Sequence, residues 1–163
     1  MYKLLFDSDA LIKISKAELI KIVVECFDVL ITEEVYDETV KEGKKWFHPD
    51  ADEIERLVKE GKIKILREEY YKRRKKPKQS FGLGETSVFQ AYKKGNFVVT
   101  DDLSFLSYIT KENIKNISPT HLLIILVKKG KLKKDEAYFY LEKLRPLIRD
   151  EVYELAKNDI KGE

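Results

Sequence analysis

Cysteine is almost absent from this 163-residue sequence, which contains only Cys26. A single cysteine can form neither an internal disulfide bond nor a thiolate metal cluster, and such usage is typical of a reducing compartment. No stretch approaches the ~18 consecutive apolar residues that a membrane-spanning helix needs. The apolar stretch before Asp7 is also too short for a signal peptide. We therefore expect a cytoplasmic protein that does not enter a membrane.

Charge is abundant but unevenly placed. Charged residues make up 37% of the sequence, and the net charge is +3. Residues 67–78 alone carry seven basic and two acidic residues, a local charge of +5, which leaves −2 for the rest of the chain. Tyr70 and Tyr71 lie within this basic segment. Such a mixture of aromatic and basic side chains can stack on bases and neutralise phosphates, or it can be an ordinary solvated loop. The candidate nucleic-acid-binding residues are Lys72, Arg73, Arg74, Lys75 and Lys76.

The hydrophobic pattern alternates between short strands and helices. Apolar runs predict strands at residues 3–6, 28–31, 62–66 and 96–99. Helices are predicted at residues 9–26 with a break near 15–16, 33–42, 49–61, 85–94, 119–129, 133–144 and 146–157. Thr32 and Ser118 are expected N-caps, and Gly43 is expected to end its helix. This alternation predicts a three-layer α/β/α fold around a central, mostly parallel sheet.

Four acidic residues are expected to meet at one edge of that sheet. Asp7 and Asp102 each follow a predicted strand, and ligands of parallel sheets bind beyond the carboxyl ends of the strands. Glu38 shares a helical face with Val35, and Glu85 begins a helix with an apolar stripe. A carboxylate on an apolar stripe is costly unless a cation compensates it.

Such a set of carboxylates suits a particular kind of cation. With no cysteine or histidine cluster beside it, the set favours Mg²⁺ or Mn²⁺ over zinc. A metal-activated water could then attack a phosphodiester bond.

Four segments together resemble the PIN domain nucleases. They are a strand ending in Asp and a small hydroxyl residue (residues 5–11), an acid in the helix after the second strand (32–38), a glycine-containing turn before an acid (82–85), and a strand followed by Thr-x-Asp (98–102). The resemblance covers about residues 2–127. It departs from the family where Glu85 replaces the more usual Asp. The stretch 44–80 is also long, and helices continue beyond Gly130.

The resemblance implies a metal-dependent endoribonuclease that hydrolyses single-stranded or structured RNA. It further implies a homodimer, and a toxin that an antitoxin protein would bind. We expect one domain over residues 1–163, with its core at about 2–127 and a helical extension at 131–163. Asp7, Glu38, Glu85 and Asp102 are the expected catalytic and metal-binding residues.

Some roles remain open from the sequence alone. Asp37 is an alternative to Glu38, and Asp101 is a second possible ligand beside Asp102. Ser8 and Thr100 either orient carboxylates or a water molecule, or merely cap turns.

Two other functions compete with the nuclease. Asp7 and Asp9 form the Asp-x-Asp that haloacid-dehalogenase-like phosphatases use as nucleophile and acid. That family expects Gly-Thr after the second Asp, where this chain has Ala10 and Leu11, and it gives Glu38 no role. The second alternative is a PIN-fold module that binds nucleic acid without cleaving it.

Overall fold

Five parallel strands form a single sheet with the order β3-β2-β1-β4-β5 in the computed structural model, which describes residues 2–162. The strands are β1 (Lys3–Phe6), β2 (Asp28–Thr32), β3 (Ile63–Leu66), β4 (Asn96–Val99) and β5 (Asn116–Ile117). Leu4, Leu5 and Phe6 of the central strand are almost completely buried, as expected for a sheet that is covered on both faces. The predicted three-layer α/β/α fold is therefore confirmed.

Helices connect the strands and cover the sheet. They are α1 (Ser8–Lys16), α2 (Ile20–Cys26), α3 (Glu33–Tyr36), α4 (Glu42–Lys45), α5 (Pro49–Lys59), α6 (Leu83–Ala91), α7 (Leu103–Lys111), α8 (Pro119–Lys128), α9 (Lys134–Leu144) and α10 (Asp150–Gly162). A π-helical stretch (Asp37–Lys41) joins α3 to α4, and short 3₁₀ turns occupy Glu68–Tyr70 and Arg145–Leu147.

Helix starts agree with the sequence at the two predicted N-caps. The Thr32 hydroxyl accepts a hydrogen bond from the Val35 amide at 3.1 Å, and the Ser118 hydroxyl accepts one from the His121 amide at 3.3 Å. Both bonds satisfy amides that have no partner within their own helix. The predicted break after α1 is also present, with Glu18 in the left-handed region at φ 62°.

Other helix boundaries differ from the prediction. Gly43 does not end its helix, which continues to Lys45. A Cβ on Gly43 would lie 2.7 Å from the Cβ of Ala51, so this glycine permits close packing of α4 on α5. The last helix does not begin at Pro146, because that proline belongs to a 3₁₀ turn and α10 starts at Asp150.

The carboxyl-terminal helices pack on the rest of the chain. Helices α8, α9 and α10 contact one another, and α9 also contacts α1. The division into a core of residues 2–127 and an extension from residue 131 stays a prediction. Residues 1 and 163 of the predicted domain lie outside the described residues.

Candidate functional site

The carboxyl ends of the three inner strands bring the predicted acidic residues to one edge of the sheet. Strand β1 lies between β2 and β4, and Phe6 pairs with Val99. Asp7 and Thr100 therefore emerge side by side. Helices α1, α3, α6 and α7 all begin at this edge, and the positive ends of their dipoles favour negative charge there.

Asp7 is the most enclosed carboxyl group of the site, with 2% of its surface exposed. Its Oδ1 accepts a hydrogen bond from the Ala10 amide at 2.8 Å, which caps α1, and its Oδ2 accepts one from the Thr100 hydroxyl. Burial raises the pKa of Asp7 to about 7, the two hydrogen bonds oppose that rise, and the charges of Asp9 and Glu85 add to it. Asp7 thus occupies a position where negative charge is costly.

Thr100 connects Asp7 to Asp102. The same Thr100 oxygen that donates to Asp7 accepts a hydrogen bond from the Asp102 amide at 3.2 Å. Asp102 is exposed, and its Oδ1 caps α7 by accepting from the Phe105 amide at 2.9 Å. Thr100 therefore fixes the relative positions of the two aspartates.

Glu38 lies in the π-helical stretch Asp37–Lys41. Such stretches are rare and often occur at functional sites. Burial raises the pKa of Glu38, the nearby charge of Glu85 adds to that rise, and Ser8 and the Gly84 amide oppose it. The adjacent Asp37 instead forms an exposed ion pair with Lys41, with the Asp37 Oδ1 and Lys41 Nζ 3.0 Å apart.

The two glycines before Glu85 make room for carboxylates. A Cβ on Gly84 would lie 2.4 Å from Oε1 of Glu38, and a Cβ on Gly82 would lie 2.9 Å from Oε2 of Glu85. The Ser87 hydroxyl, which is 2.7 Å from that of Thr32, ties α6 to the end of β2. The sequence signalled a glycine turn here, but it gave no sign that Gly84 contacts Glu38.

The remaining predicted residues of this edge fall into two groups. The Ser8 hydroxyl oxygen is buried and lies beside the Glu38 carboxylate, whose pKa it lowers. Asp101 and Asp9 instead share Lys13, whose Nζ lies 2.8 Å from the Asp101 carboxylate and 2.9 Å from that of Asp9. The structure therefore gives these two aspartates an ion-pair partner of their own.

The arrangement fits a hard cation in its donor chemistry. Within residues 2–162, no three acidic, histidine or cysteine side chains form a group that could hold a metal ion in the positions they occupy. However, the charge of Glu85 acts on both Asp7 and Glu38, and all three side chains offer oxygen atoms as ligands. With the Ser8 hydroxyl beside Glu38, this oxygen-rich edge suits Mg²⁺ or Mn²⁺.

The basic segment is anchored beside α6. Tyr71 is buried, and its hydroxyl donates a hydrogen bond to Glu34 at 2.7 Å. Arg74 donates to the carbonyl oxygens of Gln90 at 3.3 Å and Tyr92 at 3.4 Å, which lie at the carboxyl-terminal end of α6. Gln90 in turn donates to the Lys72 and Arg74 carbonyls at 3.2 and 2.8 Å.

The five basic candidates are therefore not equivalent. Lys72 pairs with Glu68 at 3.1 Å, and Arg74 is held at the end of α6. Arg73, Lys75 and Lys76 are exposed and have no ion pair among the described residues. Glu85 and the Arg74 contacts lie roughly 8–10 Å apart along α6, at 1.5 Å per residue. The basic segment is thus within reach of the same ligand as the acidic edge.

The chain is a parallel α/β/α protein with an acidic edge at the carboxyl ends of its inner strands. The family model for the PIN domain matches residues 3–157, and the chain belongs to the PIN domain family. PIN domains are generally nucleases, and those nucleases usually use divalent metals. No curated protein matches the chain. Among the described residues, no helix is both long and apolar enough to cross a membrane.

Proposed function

We propose that this protein is a divalent-metal-dependent endoribonuclease that hydrolyses phosphodiester bonds of single-stranded or structured RNA. Asp7, Glu38, Glu85 and Asp102 would hold Mg²⁺ or Mn²⁺. The observation that carries the proposal is Asp7 itself, a buried carboxyl group whose pKa is raised to about 7 beside further acids. A bound cation would relieve the cost of its charge, which is otherwise hard to explain as a structural feature.

Each residue of the edge has a definable part in that chemistry. When bound, a divalent cation polarises water and neutralises charge on the phosphate and the leaving oxygen. Asp7 is the rigid member, because both of its oxygens accept hydrogen bonds. Thr100 orients Asp7 and, by accepting a hydrogen bond from the Asp102 amide, fixes the position of Asp102 relative to it. The Gly84 amide donates a hydrogen bond to the Glu38 carboxylate and so holds it at the acidic edge.

The proposed reaction leaves 5′-phosphate ends, because a water molecule attacks phosphorus and the 3′-oxygen departs. Attack by the RNA 2′-hydroxyl would leave a cyclic phosphate and calls for a general base and acid. His48 and His121 are the only histidines, and His121 is engaged with the Ser118 hydroxyl, 3.2 Å from its Nδ1. The acidic edge described above includes neither histidine.

The test is cleavage of single-stranded RNA by the purified protein with Mn²⁺, followed by analysis of the ends. We expect 5′-phosphates. Asp7→Asn and Asp102→Asn should each reduce the cleavage rate about 100-fold or more, since ligands that position reacting groups carry effects of this size. RNA affinity should stay equal or become tighter, because a negative charge is removed near phosphate.

A matched pair of neighbours provides the control. Glu38→Gln should impair cleavage, whereas Asp37→Asn removes one charge from the same π-helical stretch and should leave the rate near that of the wild type. Cleavage that persists in both aspartate variants, or products with cyclic phosphates, would show that the proposed mechanism is wrong.

The two competing functions predict different outcomes. A phosphatase would use Asp9 as its acid, but that side chain is largely exposed and is paired with Lys13. Asp9→Asn should therefore leave cleavage unchanged. A non-catalytic module would bind RNA without cleaving it in either Mg²⁺ or Mn²⁺.

The toxin role, the antitoxin partner, the homodimer and the cytoplasmic location rest on the sequence alone and stay predictions. Induced expression in a bacterial host should arrest growth if the protein is a toxin, and Asp7→Asn should relieve the arrest. Growth unaffected by an active nuclease would instead indicate RNA processing.

A further inference from the structure

Two neighbouring aromatic side chains project into solvent at the turn between α4 and α5. Trp46 is 72% exposed and Phe47 is 91% exposed, and Trp46 is the only tryptophan of the chain. Neither residue belongs to the buried core. Large aromatic side chains left in water in this way often serve for binding.

The turn that carries the aromatic pair is rigid. The amides of Trp46 and His48 both donate to the Gly43 carbonyl, at 3.3 and 2.9 Å, and the Phe47 amide donates to the Lys44 carbonyl at 3.1 Å. Phe47 adopts the left-handed region at φ 58°, which is unfavourable for a bulky side chain. The close approach of Gly43 to Ala51 fixes the turn on α5. The backbone that carries the two rings therefore has little conformational entropy left to lose on binding.

Trp46 shares a small cavity with the proposed catalytic residue Glu38. The cavity has a volume of about 160 Å³, and six of its nine lining residues carry polar or charged side chains. Its wall includes the hydrogen-bond acceptors Thr39, Glu42 and Asp50. Trp46 follows Glu38 by eight residues, or roughly 12 Å along a helix. A ligand that reaches the acidic edge can therefore also reach the indole ring.

A second groove continues from this cavity. It has a volume of about 390 Å³ and shares Lys16, His48 and Asp50 with the first. Lys16 is exposed and has no ion pair among the described residues. Ser15 lines the same groove, and its buried hydroxyl oxygen has no hydrogen-bond partner in the described part of the chain. The groove thus offers a cation and an unsatisfied polar group to a ligand.

We propose that Trp46 stacks on an unpaired base of the RNA strand, roughly 12 Å from Glu38 of the acidic edge, while Lys16 contacts the strand's backbone. This inference rests on the proposed function and adds a base-binding subsite to it. Stacking on an aromatic ring tolerates any base. The acceptors of the cavity add a preference for bases with an exocyclic amino group, such as cytosine and adenine, over uracil, because carboxylates accept hydrogen bonds from such groups.

The lining favours a nucleobase over a protein partner. A stable protein interface usually buries more than ~1,000 Å² around an apolar centre. Here the ring stands beside a narrow cavity whose other lining groups include Lys16, Glu38 and Glu42. The basic side chain suits a phosphate, and the acceptors suit the edge of a base.

The single tryptophan makes the contact directly measurable. Oligonucleotides of cytosine, adenine or uracil are titrated into the wild-type protein with EDTA present, so that no cleavage occurs, and tryptophan fluorescence is recorded. We expect saturable quenching by oligo(C) and oligo(A), and weaker binding of oligo(U). Failure of quenching by all three would overturn the subsite, and equal binding of all three would overturn the base preference.

Affinity measurements on variants provide the second readout. Trp46→Ala should weaken the binding of labelled oligo(C) about ten-fold, which is a typical loss when the aromatic partner of a stacked base is removed. Trp46→Phe should restore most of the affinity, which a purely structural role of the turn does not predict. Phe139→Ala removes an exposed aromatic side chain from α9 and should have no effect.

The outcomes separate this inference from the proposed function. With Mn²⁺, Trp46→Ala should raise KM and largely spare kcat. If the protein cleaves RNA but the Trp46 variants behave like the wild type, the nuclease proposal holds and the base-binding subsite is wrong. If RNA quenches the tryptophan fluorescence but is not cleaved, the subsite holds and the nuclease proposal is wrong. Unchanged RNA affinity together with loss of self-association in sedimentation would identify the aromatic pair as a protein contact and overturn the inference.

Discussion

Asp7 concentrates the electrostatic cost of the site in one residue. Its folded pKa is raised from 3.8 to about 7. Between these two values the folded protein keeps a proton that the unfolded chain has released, so the stability of the metal-free protein falls as pH rises through this window. The contribution of Asp7 amounts to a loss on the order of 4 kcal/mol, at about 1.4 kcal/mol per pKa unit.

Urea unfolding in EDTA at several pH values tests this contribution. The stability of the wild type relative to Asp7→Asn should decline between about pH 4 and pH 7 and then level off. Asp37→Asn, which removes an exposed carboxylate, should track the wild type at every pH. A difference between wild type and Asp7→Asn that does not change with pH would contradict the raised pKa.

The same residue should govern the response to metal. At pH 8, Mg²⁺ or Mn²⁺ at 100 times its Kd should stabilise the native protein by about 2.7 kcal/mol, because the ion binds the folded site alone. For a chain of this size that corresponds to a rise in Tm of roughly 5–10 °C. Asp7→Asn should remove most of the rise, as measured by thermal melting with and without the ion. No rise in the wild type would count against the metal site.

The residues at the ends of strands were the ones the sequence could locate. Asp7 and Asp102 follow short apolar runs, and strand ends share one edge in a parallel sheet. The environment of each residue was not readable, because burial and hydrogen bonding depend on distant partners such as Thr100. The hydrogen bonds of Arg74 could not be predicted for the same reason, because its carbonyl partners lie 16 and 18 residues away.

At the scale of elements, the contact between α6 and the π-helical stretch holds Glu38 in place. Gly84→Ala would put a Cβ 2.4 Å from Oε1 of Glu38, so the carboxylate has to move. We expect cleavage to fall about ten-fold or more. Thermal stability should change little, because the displaced atom ends a flexible side chain and alanine favours the helix.

Gly162→Ala is the control for this substitution. It replaces a helical glycine that has no atom within 4 Å of the added Cβ. This variant should keep full activity. Equal cleavage by Gly84→Ala and Gly162→Ala would show that the position of Glu38 does not matter.

Elements were predictable where a local signal sets them and not where tertiary packing does. Thr32 and Ser118 cap helices through their own side chains, and both were predicted. Gly43 was misinterpreted because its helix continues by packing on α5, which local sequence does not reveal. Strand β5 was not predicted because its two residues, Asn116 and Ile117, form too short a strand to show a hydrophobic alternation. The strand is defined only by its pairing with β4.

For the whole molecule, the uneven charge distribution separates RNA binding from catalysis. The acidic edge repels phosphate unless a cation is bound, whereas the basic segment attracts it at any metal concentration. The structure also refines which basic residues are available, since Lys72 and Arg74 have partners within the protein and Arg73, Lys75 and Lys76 face solvent. The last three should therefore supply the electrostatic part of the affinity.

Replacing Arg73, Lys75 and Lys76 together by glutamine should weaken binding of single-stranded RNA and reduce the slope of log K against log salt by about 2, because each phosphate contact contributes about 0.7. The metal-dependent rise in Tm should remain, since none of the three touches the acidic edge. A control triple at exposed lysines elsewhere changes the net charge equally, at Lys111, Lys131 and Lys161. If both triples lower the slope alike, net charge rather than the basic segment attracts the RNA. If neither does, the strand follows another path, and the groove beside Trp46 becomes the main contact outside the acidic edge.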